Sequence, residues 1–241
     1  FQDKVAIILP NCPEFVVAYF AVLRQGGVVV PVNPLFKGEE VKYIFNDSKV
    51  SMVITAQAFL PMIESIWKYV PSLHKVIVVG GETGDDTVAY EDILAAMEPI
   101  EGDVEVDDHD VAACLYTSGT TGRPKGALLT HDNFIFDAQS VIEHIQTTEE
   151  DNYLCVLPLF HSFGQTVCMI VPIISGATFT LIEQFRPDTV MKEIGDKKVT
   201  VFAGVPAMYG ALLGVVKKLK DYDLSSLKLC VSGGAPMPVR S

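Results

Sequence analysis

The sequence predicts an α/β protein in which layers of parallel sheet are covered by helices. Short runs of β-branched residues alternate with longer stretches of helical period, which is typical of parallel strands joined by helical crossovers. Of the 241 residues, 49% are apolar, which is enough to bury a substantial core. An acidic stretch from residue 97 to residue 110 separates the alternation into two halves. We therefore expect two similar βα subdomains, at residues 1–105 and 106–241.

The first half predicts four strands and three helices. Its first helix is marked by Pro13 at the start and by Gly26 and Gly27 at the end. A run of glycine and acidic residues from 80 to 86 indicates a surface loop. The predicted strands of this half are 4–9, 28–32, 51–55 and 75–79, and the predicted helices are 13–25, 38–46 and 59–69.

The second half continues the same alternation. Thr130 is a good N-cap, so the neighbouring His131 is interpreted as a helix-boundary residue and not as a catalyst. The chain starts with Phe1, and residues 235–241 resemble the beginning of a further helix, so we expect both ends to be cut. The predicted strands of this half lie near 112–117, 126–129, 153–157, 177–182, 200–203 and 227–231, with helical segments between them.

Composition argues against several classes of function. The formal charge is -12 and the isoelectric point is about 4.8, whereas nucleic-acid binding needs clustered lysine and arginine, so we expect no nucleic-acid partner. The longest apolar run, Val167 to Ile174, is too short to span a membrane and contains a proline. The five cysteines lack the spacing of a structural zinc site, which predicts no metal centre and free thiols in the cytosol.

One loop carries the clearest chemical signal. Residues 116–126 read Tyr-Thr-Ser-Gly-Thr-Thr-Gly-Arg-Pro-Lys-Gly. Glycines let backbone N–H groups approach a phosphate, hydroxyls add donors, and Lys125 supplies a balancing charge. The order differs from a Walker A motif, because Lys125 follows Pro124 and precedes Gly126. The pattern predicts a triphosphate-binding loop and disfavours a P-loop hydrolase.

The same loop resembles the signature phosphate loop of the adenylate-forming superfamily, which includes acyl-CoA synthetases, firefly luciferase and peptide-synthetase adenylation domains. Other stretches fit this family in the same order, so the resemblance covers nearly the whole chain. They are 9–15 (Leu-Pro-Asn-Cys-Pro-Glu-Phe), 26–34 (Gly-Gly-Val-Val-Val-Pro-Val-Asn-Pro), 158–161 (Pro-Leu-Phe-His) and 232–236 (Ser-Gly-Gly-Ala-Pro). The resemblance implies a truncated form of the large N-terminal domain of an acyl-CoA synthetase.

The resemblance also implies roles for individual residues. His161 would lie beside the carboxylate that is activated, which makes Lys125 and His161 the candidate catalytic residues. From composition alone, a single histidine among apolar residues is more often a core residue, and the pocket glycines could equally be packing positions. The implied phosphate-binding residues are Thr117, Ser118, Gly119, Thr120, Thr121, Gly122 and Lys125. The implied substrate-binding residues are His161, Phe163, Gly164, Gly204, Gly233, Gly234, Ala235 and Pro236.

The implied reaction begins with attack of a carboxylate on the α-phosphorus of ATP, which gives an acyl-adenylate and pyrophosphate. Thioester formation with coenzyme A would follow, with Mg²⁺ accompanying ATP. In the family, the adenine contacts, a magnesium-binding glutamate and a lysine on a mobile C-terminal domain come later than the Gly-Gly-Ala-Pro stretch. We therefore expect a partial enzyme that is inactive alone and whose exposed apolar edges could support a homodimer.

The glycines of the implied acyl pocket favour a longer or aromatic acid, with medium-chain or long-chain fatty acids first and aryl acids next. Peptide-synthetase domains often carry an aspartate soon after the aromatic-rich stretch, and residues 161–165 contain none. Two other hypotheses stay open. The enzyme could pass the acyl group to a carrier-protein thiol or to oxygen, or the chain could be a non-catalytic module that binds nucleotide or acyl groups.

Overall fold

The computed structural model describes residues 2–81, 83–84, 86–96, 98, 102, 104–117, 123–215 and 221–237. The chain divides into two compact units, 1–133 and 134–241, and each unit contains one sheet. The α/β class predicted from the sequence is confirmed, because both sheets are mainly parallel and helices alternate with their strands. No helix in these described ranges is both long and apolar enough to cross a membrane.

The first unit is built on a seven-stranded sheet. Its strands are β1 (Lys4–Ile8), β2 (Val28–Pro31), β3 (Met52–Ala56), β4 (Lys75–Val79), β5 (Thr87–Ala89), β6 (Val111–Thr117) and β7 (Lys125–Thr130). Their order in the sheet is β5-β4-β3-β1-β2-β6-β7, and every neighbouring pair is parallel except β6 and β7. The central strand β1 is buried along almost its whole length, which explains its continuous apolar sequence.

Four α-helices lie wholly within the described part of this unit. They are α1 (Pro13–Arg24), α2 (Gly38–Ser48), α3 (Leu60–Trp67) and α4 (Tyr90–Ala96). Helix α2 buries Val41, Ile44, Phe45 and Ser48, whose spacing places them on one face of the helix. The three apolar members of this face join the core cluster formed with the strands, so α2 is fixed to the sheet by its apolar stripe.

The second unit contains a four-stranded parallel sheet. Its strands are β8 (Asn152–Cys155), β9 (Thr178–Leu181), β10 (Val201–Gly204) and β11 (Leu229–Ser232), in the order β11-β10-β8-β9. Helix α5 (His131–Ile145) crosses the boundary between the units. The other α-helices that the structure describes here are α6 (Ser162–Gln165), α7 (Val171–Ser175), α8 (Pro187–Asp196) and α9 (Pro206–Gly214), with a buried π-helical turn at Thr166–Ile170.

The boundary between the units differs from the boundary expected at residue 105. Strands β6 and β7 belong to the first sheet, because β2 pairs with β6 and β6 pairs with β7. The acidic stretch therefore lies within the first unit, although 97, 99–101 and 103 fall outside the described residues. Its last part is a turn in which the Asp107 N–H donates to the Asp110 carboxylate. In the described residues the first sheet has seven strands and the second has four.

Most other elements begin and end within a few residues of their predicted bounds, and the predicted strand 75–79 coincides with β4. Two elements, β5 and α4, were not predicted, because each is too short to display a clear period. All five cysteines are free, and Cys114, Cys155 and Cys168 are buried, as expected for thiols packed as small apolar groups.

Candidate functional site

The predicted phosphate loop connects the two antiparallel strands β6 and β7. Thr117 is the last residue of β6 and Lys125 the first residue of β7, and the two are directly opposite in the register. Both are exposed. Residues directly opposite each other project to the same face of an antiparallel pair, so a hydroxyl and an ammonium group lie on one face beside the loop.

Five of the predicted phosphate-binding residues fall outside the part of the chain that the structure describes. They are Ser118, Gly119, Thr120, Thr121 and Gly122. The geometry therefore concerns the two strand ends and the residues next to them, Arg123 and Pro124.

Gly126 lets an aromatic side chain lie across the hairpin. A Cβ at Gly126 would be 2.7 Å from the Cys114 sulfur and 3.1 Å from Cζ of Tyr116, so a larger residue would displace both. The Tyr116 hydroxyl donates to the Asp47 carboxylate at 2.6 Å. Burial, followed by this hydrogen bond, raises the pKa of Tyr116 well above its ordinary value, so the phenol stays protonated and keeps its donor.

Helix α2 also contacts the other side of the loop. The Tyr43 hydroxyl donates to the Pro124 carbonyl at 3.1 Å, and the Arg123 guanidinium lies 5.7 Å from the centre of the Tyr43 ring. These residues border a cleft of about 760 Å³ that Phe36, Asn46, Tyr116 and Thr117 also line. Sequence reasoning did not find the contribution of α2, because Tyr43 and Asp47 belong to no recognisable motif and lie off its apolar stripe.

In the second unit, His161 is the N-cap of the short helix α6. Its backbone N–H donates to the Pro158 carbonyl at 3.1 Å, and its Nδ1 accepts the Phe163 N–H at 3.2 Å. The side chain is exposed. Because Nδ1 is an acceptor here, the neutral ring carries its proton on Nε2, which remains available as a donor.

Gly164 is required by the turn that precedes α6. A Cβ at this position would lie 2.4 Å from the Pro158 carbonyl oxygen, a distance that no side chain tolerates. Gly164 is buried, and its lack of a side chain lets the backbone of residues 157–158 pack directly against the helix. Packing alone therefore requires a glycine here, and a role of Gly164 in lining the acyl pocket stays a prediction.

Phe163, Gly204 and Gly233 are brought together at the carboxyl ends of the parallel strands. A Cβ on Gly233 would be 2.9 Å from Cζ of Phe163, so the ring lies directly against this glycine. The Gly233 N–H donates to the Gly204 carbonyl at 3.3 Å, which joins the turn after β11 to the end of β10. Ligands of open α/β sheets usually bind at this edge.

The remaining predicted residues continue the turn after β11. Gly234 has a φ of 76°, a left-handed conformation that favours glycine. A Cβ there would make ordinary contact with Val205, at 3.4 Å, so there is room for a side chain. The glycine is therefore favoured by the backbone conformation. Ala235 and Pro236 are exposed.

Tyr209 of α9 supports this edge and was missed by sequence reasoning. Its ring packs edge-on against Phe202, with centroids 5.3 Å apart, and a Cβ on Gly204 would be 3.3 Å from it. Its hydroxyl lies 2.8 Å from the Val231 carbonyl and 3.1 Å from the Phe202 carbonyl, so it can donate to either strand. The predicted residues thus form two groups, one in each unit, each held by its own local contacts.

Comparison with known proteins identifies the family. The family model described as AMP-binding enzyme matches residues 1–241. Over 264 residues the chain is 33% identical to a long-chain-fatty-acid–CoA ligase of Bacillus subtilis (strain 168), a match that covers 98% of this chain and 47% of that protein.

The solved structures that share this fold include two CoA-ligase-type enzymes with a bound nucleotide or adenylate. The anthranilate CoA ligase AuaEII in complex with anthranoyl-AMP has a TM-score of 0.92 and 30% identity, with 99% of this chain and 46% of that chain covered. ATP-bound MatB from Rhodopseudomonas palustris has a TM-score of 0.85 and 28% identity, with 98% and 45% covered. The chain spans about half the length of these proteins. With the family match along its full length, this chain belongs to the AMP-binding enzyme family.

Proposed function

We propose that this chain carries phosphate-binding and acid-binding groups of an ATP-dependent acid–CoA ligase. One observation carries the proposal: the hairpin of β6 and β7 ends on Thr117 and Lys125, which frame the glycine-rich and hydroxyl-rich residues 118–122. An opposed hydroxyl and ammonium group suit a polyphosphate, because they supply donors and a balancing charge. Membership of the AMP-binding enzyme family supports the same assignment.

In the proposed first step, a carboxylate oxygen of the acid attacks the α-phosphorus of ATP. The bond between that phosphorus and the oxygen bridging to the β-phosphate breaks, and pyrophosphate leaves with the bonding electrons. Lys125 would bind the phosphate oxygens and offset their charge as pyrophosphate forms. In the second step the thiol of coenzyme A takes the acyl group, and AMP is released.

His161 is proposed to bind the carboxylate of the acid. Its exposed ring keeps a proton on Nε2 in the neutral form, because Nδ1 accepts the Phe163 N–H. Phe163 and Gly233 would form an apolar wall next to it, since the ring already lies against that glycine. An acid with an apolar chain or ring suits such a wall.

A medium-chain or long-chain fatty acid is the first proposed substrate, and an aryl acid is the alternative. The Bacillus subtilis relative is a ligase for long-chain fatty acids, whereas AuaEII is a ligase for anthranilate. The absence of an acidic residue in 161–165 favours an acid without an ammonium group.

Magnesium belongs to the proposal only as the ion that ATP carries on its phosphates. Within the described ranges, no group of three or more His, Cys, Asp and Glu side chains could hold a metal ion. The hairpin supplies the Thr117 hydroxyl and the Lys125 ammonium, which suit phosphate oxygens.

The proposal extends to a homodimer in the cytosol. Five free thiols suit a reducing compartment, and several large apolar side chains, among them Leu35 at 86% exposure and Phe136 at 70%, are available for association. Sedimentation velocity over a range of concentrations measures the association directly.

Mass spectrometry of the products tests the activity and the acid together. The protein at its full natural length is incubated with ATP, Mg²⁺, coenzyme A and, separately, palmitate, octanoate, benzoate, anthranilate and an amino acid. We expect a fatty acyl-CoA as the main product. An aryl-CoA would support the alternative substrate, and an acyl-adenylate without thioester would indicate another acceptor. Nucleotide binding without any acyl product would favour the non-catalytic module.

A further inference from the structure

Helix α2 contacts both strand ends next to the proposed phosphate loop. Tyr43 and Asp47 are four residues apart on this helix and therefore lie on the same face. Asp47 contacts Tyr116, which immediately precedes Thr117, and Tyr43 contacts Pro124, which immediately precedes Lys125. Two consecutive turns of one helix thus hold the residues before and after the loop.

The contact before the loop is a charge-assisted hydrogen bond. The Tyr116 hydroxyl donates to the Asp47 carboxylate at 2.6 Å, a short distance that is typical of a phenol and an ionised acceptor. Asp47 lies in the last turn of α2, where the helix dipole disfavours a negative charge. Local helix energetics therefore give no reason for a carboxylate at this position, whereas the hydrogen bond to β6 does.

The contact after the loop combines a hydrogen bond with a ring contact. The Tyr43 hydroxyl donates to the Pro124 carbonyl at 3.1 Å, and the Arg123 guanidinium lies over the same ring. Tyr43 is half-buried, and its helix is fixed to the core by Val41, Ile44 and Phe45. A rigid support therefore holds the backbone carbonyl that is adjacent to Lys125.

We propose that Tyr43 and Asp47 are positioning residues that fix Lys125 and Thr117 for phosphate binding. This inference rests on the proposed function, because phosphate binding is what the two contacts are proposed to serve. The contacts themselves are present whether or not that function is correct. Neither residue touches the phosphates in this account. They act through Pro124 and Tyr116, so their loss weakens ATP binding and leaves binding of the acid unchanged.

The test compares four variants with a matched control. Tyr116→Phe and Tyr43→Phe each remove one hydroxyl, Asp47→Ala removes the acceptor, and Asp47→Asn retains an acceptor oxygen. Tyr69→Phe is the control, because it removes a hydroxyl from a residue that is 55% exposed and follows the end of α3. The Michaelis constants for ATP and for the acid are measured by ATP–pyrophosphate exchange, and amide hydrogen exchange is followed in the peptide covering 113–128.

We expect Tyr116→Phe, Tyr43→Phe and Asp47→Ala to raise the KM for ATP about threefold to tenfold, as for the loss of one hydrogen bond, with an unchanged KM for the acid. Asp47→Asn should recover part of this loss, because a neutral acceptor oxygen makes a weaker hydrogen bond than a carboxylate, and Tyr69→Phe should change nothing. Hydrogen exchange should increase in the hairpin peptide only. Equal KM values and unchanged hairpin exchange would overturn the inference, and so would a loss of protection throughout the first unit.

Failure of the proposed function gives a different result. If the wild-type protein exchanges pyrophosphate with none of the acids while the hairpin peptide still responds to Tyr116→Phe and Tyr43→Phe, the proposed function is wrong. The support of the hairpin by α2 then stands, and its assignment to phosphate binding falls. Direct titration of the variants with ATP provides the same distinction without turnover.

Discussion

Gly164 and Gly210 are both helical glycines of the second unit, but their surroundings differ. A Cβ on Gly164 would be 2.4 Å from the Pro158 carbonyl oxygen, whereas a Cβ on Gly210 would meet no atom within 4 Å. The first glycine is required by close backbone packing. The second occupies the interior of α9, where glycine costs helix stability and an added Cβ would meet open space.

The same substitution should therefore have opposite effects at these two positions. Gly164→Ala should lower the free energy of unfolding by about 1–3 kcal/mol, because the turn at Pro158 must move. Gly210→Ala should raise it by about 0.5–1 kcal/mol, since alanine restricts the unfolded chain and favours the helix. Urea denaturation followed by circular dichroism measures both. A stable Gly164→Ala protein with unchanged activity would show that the packing at Pro158 is not needed.

At this scale the sequence singled out candidate site residues, whose roles stay predictions, and it did not reveal the contacts that hold them. The stretch around His161 was singled out by its resemblance to the family, and Gly164 was included as a pocket residue. Its contact with Pro158 is set by the path of the backbone, which single residues do not reveal. Tyr43 and Asp47 could not be found, because their partners Pro124 and Tyr116 are far away in the sequence.

Strand β8 is tied to its neighbours by one buried carboxylate. Asp151 accepts hydrogen bonds from the Thr148 N–H and the Thr200 hydroxyl, and the Lys228 ammonium lies 3.2 Å away. Burial acts to raise the pKa of the Asp151 carboxyl, but the bonds from Thr148, Thr200 and Lys228 together lower it below the usual range. The residues before β10 and β11 are thus connected to the start of β8.

Asp151→Asn should destabilise the second unit by about 1–3 kcal/mol at neutral pH, mainly through the lost bonds to Thr200 and Thr148. The exposed Lys228 contributes little of this. Because the folded-state pKa is depressed, the stabilisation is present above the pKa of the unfolded chain and is lost as the pH falls below about 4. Unfolding measured from pH 7 to pH 3 should show the difference begin to shrink at the acidic end of this range. Asp196→Asn, at an exposed carboxylate, is the control. A difference that is independent of pH would contradict this account.

Among the elements, the positions of most strands and helices were predicted well, whereas the pairing of the strands in the sheets was not. The apolar run of β4 and the marked ends of α1 are local features that the sequence displays directly. The pairing of β2 with β6 joins distant segments, and the acidic stretch between them had the composition of a linker. The hairpin was therefore assigned to the second half, although its strands complete the first sheet.

For the whole molecule, the fold class and the family follow from features that are distributed along the chain. Alternating strands and helices predicted the α/β class, and the loop at 117–126 with the stretches that accompany it predicted the adenylate-forming family. The sequence did not determine which acid is bound. The side chains that line a pocket depend on how the turns after β8, β10 and β11 meet, and this is set by the fold. The relatives act on acids as different as long-chain fatty acids and anthranilate.

ATP–pyrophosphate exchange at full natural length, with and without the acid, tests the central claim most directly. Lys192→Ala is the matched control for Lys125→Ala, because Lys192 is also exposed and pairs only loosely with Asp196, at 3.9 Å. We predict acid-dependent exchange that falls at least about 100-fold in Lys125→Ala, as when a group that stabilises developing charge is removed, and is unchanged in Lys192→Ala. Exchange that is absent with every acid, or equally fast in Lys125→Ala, would contradict the claim that this hairpin binds ATP for acid activation.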